Sequence, residues 1–316
     1  MDEAPVQTQR QAIQRTVESL SWYHTIDLGQ GLVTPGFYDH RPYLGCYGLP
    51  KDLGHRTTLD IGAASGFFAF EMEKRGAEVT ATDLPTWMAH DFGPRYQPDM
   101  NPEQADQYLH DPFSFAHKTL GSRVKQQFIN IYDIGPQTTG SFDLVFCGSV
   151  LLHLTDPIRA LWHIQSVTKE VAIIATAIHP LKSSEPLALL IGQDRGDVWW
   201  LPNRAAFEAM VKSAGFKGWE WFSEFRLDYR NGQPGPYHAV IRAWNTSEKP
   251  RLLDSTDQPA KEFIEPIVVE DPEMQHLRNL VNIYEKMKFV RFVRWLYPYK
   301  QKLATWTIPR AKPTTK

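Results

Sequence analysis

Along the first 245 residues the apolar positions switch repeatedly between a period of two and a period of about 3.6. TTLDIG (57–62), EVTATD (78–83), QQFINIYD (126–133), FDLVFCGSV (142–150) and VAIIATAI (171–178) are alternating or continuously apolar runs, rich in β-branched residues, and predict strands. The fourth is continuously apolar from Leu144 to Cys147, as in a strand covered on both faces. Between them lie helical spacings. One runs from Ser65 to Arg75 and is closed by Gly76, the residue type that accepts a left-handed stop. Another opens at Thr155–Asp156–Pro157, a capping residue ahead of a first-turn proline. Residues 8–20 are also helical in spacing, and Asn203 caps a helix to Gly215. Segments 218–228 and 237–245 read as two antiparallel strands. Residues 84–125, rich in Pro, Asp and aromatics, predict a helix plus an irregular excursion. The sum is an α/β fold: a doubly wound, mostly parallel seven-stranded sheet spanning 55–245. An N-terminal helical cap (1–54) precedes it, and a linker with a C-terminal helical appendage (246–316) follows.

Composition adds a compartment and an asymmetry. Of 316 residues, 42 % are apolar, enough for a large buried core. Cys46 and Cys147 form no disulfide or metal-ligand pattern, which suits a reducing, cytoplasmic setting. The start, MDEAPVQTQRQ, lacks the basic and then apolar sections of a signal peptide. No run approaches the ~18 apolar residues of a membrane span. Residues 274–316 hold ten Lys or Arg against one acid, Glu285, while the rest of the chain is net acidic.

Chemistry concentrates where the first strand ends. LDIGAASG (59–66) leaves a strand and enters a helix, so its loop lies at the carboxyl edge of the sheet, where open α/β sheets bind ligands. Gly62 and Gly66 remove side chains where the backbone must turn tightly and approach a ligand. Asp83 ends the next strand, where a carboxylate can accept two hydrogen bonds from a ribose. The dinucleotide fingerprint G-x-G-x-x-G is absent, because Ala63, Ala64 and Ser65 separate the two glycines.

This D-x-G-x-x-x-G spacing resembles the first motif of the class I S-adenosylmethionine (SAM)-dependent methyltransferases. Asp133, after the third strand, stands where that superfamily has an adenine-contacting acid. FDLVFCGSVLLHLTDP (142–157) resembles its fourth-strand motif, and WWLPNRAAFEAMVKSAGF (199–216) its late helix. The resemblance covers about residues 55–245. Within the superfamily, the CGSVLLH pattern and a tryptophan-bearing segment ahead of the loop are similar to the group that includes the bacterial tRNA wobble-uridine carboxymethyltransferase. The part before the loop is shorter here, and a basic appendage is added, so the resemblance carries the fold and SAM but not the RNA substrate. It implies a SAM site formed by Asp60, Gly62, Ala63, Ser65, Gly66, Asp83, Leu84, Tyr132, Asp133 and Gly148, with Trp22 and Tyr23 closing over it.

For the acceptor, a hydroxyl needs proton removal, because an alcohol is a poor nucleophile at neutral pH. His153 after the fourth strand and His179 after the fifth are the candidate catalytic bases at the sheet's carboxyl edge. Each could equally be a core or capping histidine. Both with Asp194 or Asp197 could hold a divalent ion, but no compact ligand spacing supports that, and no metal is expected. His24, Tyr38, Arg41, Trp199 and Trp200 are polar or aromatic groups suited to binding a sugar or ring substrate, or to packing the cap. The expected activity is O-methylation of a small molecule or glycan. Alternatives are a tRNA methyl- or carboxymethyltransferase and a SAM-binding adaptor without turnover.

In 274–306, Leu277, Leu280, Val281, Tyr284, Met287 and Phe292 recur at helical spacing with Lys286, Lys288, Arg291 and Arg294 interleaved. Such a helix could pack on its own domain or on a second copy in a homodimer. It could also lie on an anionic membrane as a peripheral contact, or touch RNA phosphates. The acidic body disfavours nucleic acid.

Overall fold

The computed structural model describes residues 3–94, 96, 100–192 and 198–260. The chain forms two compact units, Met1–Val268 and Val269–Lys316, and the described residues all belong to the first. The basic segment 274–306, Asp194 and Asp197 lie outside them.

A seven-stranded sheet has the order β3-β2-β1-β4-β5-β9-β8. Its strands are β1 (Thr57–Ile61), β2 (Glu78–Asp83), β3 (Lys125–Phe128), β4 (Phe142–Gly148), β5 (Thr168–Ala177), β8 (Gly218–Arg226) and β9 (Tyr237–Trp244). β9 runs antiparallel to both neighbours, and the other pairings are parallel. A two-stranded antiparallel hairpin, β6 (Ala188–Leu190) with β7 (Trp200–Pro202), lies apart from the sheet. Among the described residues six α-helices accompany it: α1 (Glu3–Ser19), α2 (Leu44–Tyr47), α3 (Phe67–Lys74), α4 (Pro102–Leu120), α5 (Pro157–Val167) and α6 (Arg204–Ser213).

β4 explains its own sequence. Leu144 and Phe146 enter one buried cluster, Val145 and Cys147 the other, so both faces are covered and no polar alternation survives. The caps hold as the sequence suggests. Asp156 accepts the Arg159 N–H at 3.0 Å ahead of Pro157, and Asn203 accepts that of Ala206 at 2.9 Å. The third strand is shorter than its apolar run. It ends at Phe128, and Asn130 then caps a single 3-10 turn over Ile131–Asp133 by accepting the Tyr132 N–H.

Residues 246–260, expected as linker, instead return across the domain. Leu253 is buried, Asp257 pairs with Arg75 at 2.7 Å, and Arg242 donates to the Thr256 hydroxyl at 3.0 Å. A short polar stretch stays down because it carries one apolar anchor and matched charges. The N-terminal cap is equally integrated: Trp22, Ile26 and Leu28 share the cluster of Phe68 and Phe146.

Candidate active site

In the order β3-β2-β1-β4 the succession of parallel strands switches sides between β1 and β4, and the crevice at the carboxyl ends there is the ligand site of such sheets. The glycine loop fills it. Gly62 and Ala63 both donate their N–H to the Thr82 carbonyl, at 2.9 and 3.0 Å. Gly62 is left-handed (φ 70°), and a Cβ there would lie 2.5 Å from a Val150 methyl. Gly66 (φ 93°) caps α3, and its Cβ would meet the Phe70 and Phe113 rings at 2.6 and 2.8 Å. Both positions demand glycine on two grounds, backbone angle and space.

Asp83 holds the loop shut. One carboxylate oxygen accepts the Ala64 N–H and the other the Leu84 N–H, each at 2.8 Å. Burial raises the Asp83 pKa, and these two N–H groups oppose the rise. A carboxylate offers about four lone-pair sites, so two remain for ribose hydroxyls.

Asp60 is the other acid beneath the loop. Burial pushes its pKa up to about 8 against the opposing Ala69 N–H, and the Asp83 charge adds to the rise. Its Oδ2 is buried with no hydrogen-bond partner among the described residues. An orphaned buried acceptor beside a ligand loop fits a cationic or N–H donor supplied by a ligand. The ammonium group of a methionine moiety is such a donor.

The cap is strapped over this loop. The Tyr23 N–H donates to the Ser65 hydroxyl at 3.1 Å, and the Phe67 N–H approaches His24 Nδ1 at 3.5 Å. Tyr23 is exposed beside it. Trp22, expected to close over the cofactor, is instead a core residue: 2 % exposed, its indole N–H donated to the Val17 carbonyl. His24 is also buried, and desolvation lowers its pKa to about 3. It packs edge-on against His40, itself held well below the imidazole range by burial.

A hydrogen-bond hub that the sequence does not mark is Asp91. Its Oδ2 accepts from the Tyr132 hydroxyl (2.7 Å), the Thr155 N–H (2.8 Å) and the Thr155 hydroxyl (2.7 Å). Its backbone carbonyl accepts the Trp199 indole N–H at 2.6 Å, and Trp200 donates to the Thr155 carbonyl at 3.2 Å. Four segments distant in sequence thus meet: the excursion after β2, the turn after β3, the turn before α5, and the hairpin of β6 and β7. Burial and the bond to Asp91 push the Tyr132 pKa up to about 12.

The remaining expected residues separate. His153 ends the turn after β4 and is electrostatically coupled to His90 on the excursion. His179 is tied at both ends of its residue: its N–H donates to the Pro202 carbonyl at 2.9 Å, and its Nδ1 accepts from the Leu181 N–H at 3.2 Å. Asp133 is exposed, and Gly148 ends β4 half-buried. Tyr38 stacks on Tyr229 with centroids 5.1 Å apart. Arg41 is exposed and held by Asp39 through bonds of 2.8 and 2.7 Å. No local pattern marks His90 or Asp91, since each is an ordinary polar residue in an irregular stretch.

The family model described as "Methyltransferase domain" matches residues 44–220, more than half of the chain, and the chain belongs to that family. S-adenosylmethionine is the cofactor that accompanies this fold and loop. The chain is 26 % identical over 168 residues to a tRNA U34 carboxymethyltransferase of Desulforapulum autotrophicum, a match taking in 52 % of this chain and 45 % of that protein. The chain thus spans less than half the length of that curated relative. Its fold is similar to a crystal structure of the N-terminal domain of EvdMO1 in the presence of SAH and D-fucose. There the TM-score is 0.51 and the identity 18 %, covering 74 % of this chain and 96 % of that one. A second structure of the same domain with SAH bound gives the same TM-score and identity, covering 77 % and 97 %.

Proposed function

We propose that the protein transfers a methyl group from S-adenosylmethionine to a hydroxyl of a small molecule or glycan. One observation carries the donor half: a glycine loop is closed on Asp83, with the unpartnered buried oxygen of Asp60 beneath it. When bound, the sulfonium supplies an electrophilic methyl group. The chain's part is to align the acceptor, exclude water and take up a proton. Tyr23 and Ser65 close the cap side, and Asp91 with Tyr132, Thr155 and Trp199 fixes the acceptor side. An acceptor edge with histidines favours a group that must be deprotonated. A related fold crystallised with D-fucose present supports a sugar-like acceptor. The match to a tRNA carboxymethyltransferase supports an RNA acceptor as the second reading.

Titration calorimetry with SAM tests the donor half, with binding expected for the wild type and lost in Asp83→Ala. A methyl-donor assay against sugars, glycans, small phenols and bulk tRNA tests the acceptor half. Transfer to tRNA alone would replace the first acceptor reading by the second. Failure of the wild type to bind SAM would end both.

A further inference from the structure

We propose that His90 is the general base of the acceptor site, an assignment that rests on the hydroxyl-methylation reading above. The inference starts from which nitrogen carries the proton. His90 Nδ1 lies 2.7 Å from the Trp87 carbonyl oxygen, which can only accept. Nδ1 therefore bears the hydrogen, and in the neutral ring Nε2 is left with the lone pair, as a base requires. His179 is set the opposite way. Its Nδ1 accepts the Leu181 N–H, so its hydrogen sits on Nε2 and its outer nitrogen is a donor.

Position supports the same choice. His90 interacts electrostatically with Asp83 at the end of β2, with His153 in the turn after β4 and with Asp91 beside it. The imidazole lies 5.0 Å from the Phe92 ring in a stacked arrangement and 4.7 Å from Trp87. Its backbone is pinned on both sides. Trp87 donates its N–H to Asp106 at 2.7 Å, the Ala89 carbonyl accepts from Asn130 at 3.3 Å, and Asp91 is the hub already described. Burial lowers the His90 pKa, opposed by the Trp87 carbonyl bond and the Asp83 and Asp91 charges, and so favours the neutral ring. Such a ring is held in orientation and tautomer before any acceptor arrives.

In the step assigned to it, the acceptor hydroxyl yields its proton to His90 Nε2 as the oxygen bonds to the methyl carbon. The C–S electron pair leaves with sulfur as a neutral thioether, and the imidazolium returns its proton to solvent.

The first test needs no acceptor. Nitrogen-15 NMR of histidine-labelled full-length protein at pH 7, with the His90 signals assigned by their loss in His90→Asn, should show the Nδ1–H tautomer. An Nε2–H tautomer or a protonated ring at that pH overturns the proposal. His90→Asn is the informative variant, because its amide can still donate to the Trp87 carbonyl while the base is gone. With whichever hydroxyl acceptor the wild type methylates, it should lose about 100-fold or more in kcat. Its S-adenosylhomocysteine affinity should stay within about twofold of wild type. Wild-type turnover in His90→Asn, or an equal loss in His179→Ala with His90→Asn unaffected, overturns it. Should the wild type methylate no hydroxyl in the panel, the hydroxyl reading fails, and the tautomer measurement still reports on His90 separately.

Discussion

The Tyr132 hydroxyl donates to Asp91 Oδ2 at 2.7 Å, the same oxygen that takes both donors of Thr155. One carboxylate oxygen thereby joins the turn after β3 to the excursion after β2 and to the turn before α5. Hydrogen bonds to a charged acceptor contribute about 1.5–3 kcal/mol when buried, and less where a partner such as Thr155 is exposed.

Asp91→Ala should therefore lower stability by about 1–2 kcal/mol, and Tyr132→Phe by less. Because both remove one shared bond, the double variant should be milder than the sum of the singles. Urea unfolding of the three variants measures this, and strict additivity would mean that the two residues act independently.

Gly66 and Gly215 have nearly the same φ, 93° and 92°, but only Gly66 has rings where a Cβ would sit. Ala at Gly215 meets nothing within 4 Å and should cost about 1–2 kcal/mol of backbone strain. Ala at Gly66 must also displace Phe70 or Phe113, adding about 1–3 kcal/mol of overpacking. Equal losses in thermal unfolding would show that the aromatic contacts yield freely.

Asp60, raised to about 8 by burial, is mostly protonated at pH 7 in the free protein. Pairing with the ammonium of the cofactor would favour its ionised form, so binding should release a proton and strengthen as pH rises toward 8. Calorimetry in two buffers of different ionisation enthalpy reads that proton directly. It should vanish in Asp60→Asn, and its absence from the wild type would remove Asp60 from the ammonium contact.

His24 and His238 are buried and neutral, their pKa values lowered by desolvation to about 3 and about 4. Above the ordinary imidazole value of about 6.5 neither state binds a proton, and their share of stability is complete. Below it only the unfolded chain is protonated, so stability falls with pH until the folded values are reached. Urea midpoints should drop between pH 7 and pH 5, and the slope should be shallower in His238→Gln. A flat profile would mean that water reaches these rings.

Much of this was legible in the sequence wherever a single local force decides the outcome. The strand and loop of 57–66, the acid at Asp83, and the caps at Asp156 and Asn203 each follow from period, glycine freedom or an orphan N–H. The hairpin of β6 and β7 was not legible. Its strands are three residues each, and β6 is exposed, so no burial period marks it. His90 and Asp91 escaped for a related reason. Their roles depend on Trp87, Thr155 and Trp199, and two of those lie more than sixty residues away. Trp22 was misplaced because an aromatic ahead of a ligand loop reads alike whether it faces the ligand or the core.

Gly36 shows how firmly the cap is fitted. A Cβ there would lie 2.1 Å from the backbone carbon of His24, so the two passes of the strap touch main chain to main chain. Trp22, Ile26 and Leu28 contribute to the same apolar cluster as Phe68 of α3, the helix that the cofactor loop opens into. The strap is thus a structural stave and not a hinged door: whatever loosens it loosens the floor of the nucleotide site in the same cooperative event. A fragment trimmed to start at residue 55 would keep every strand of the sheet and still begin with a hole where three side chains belong.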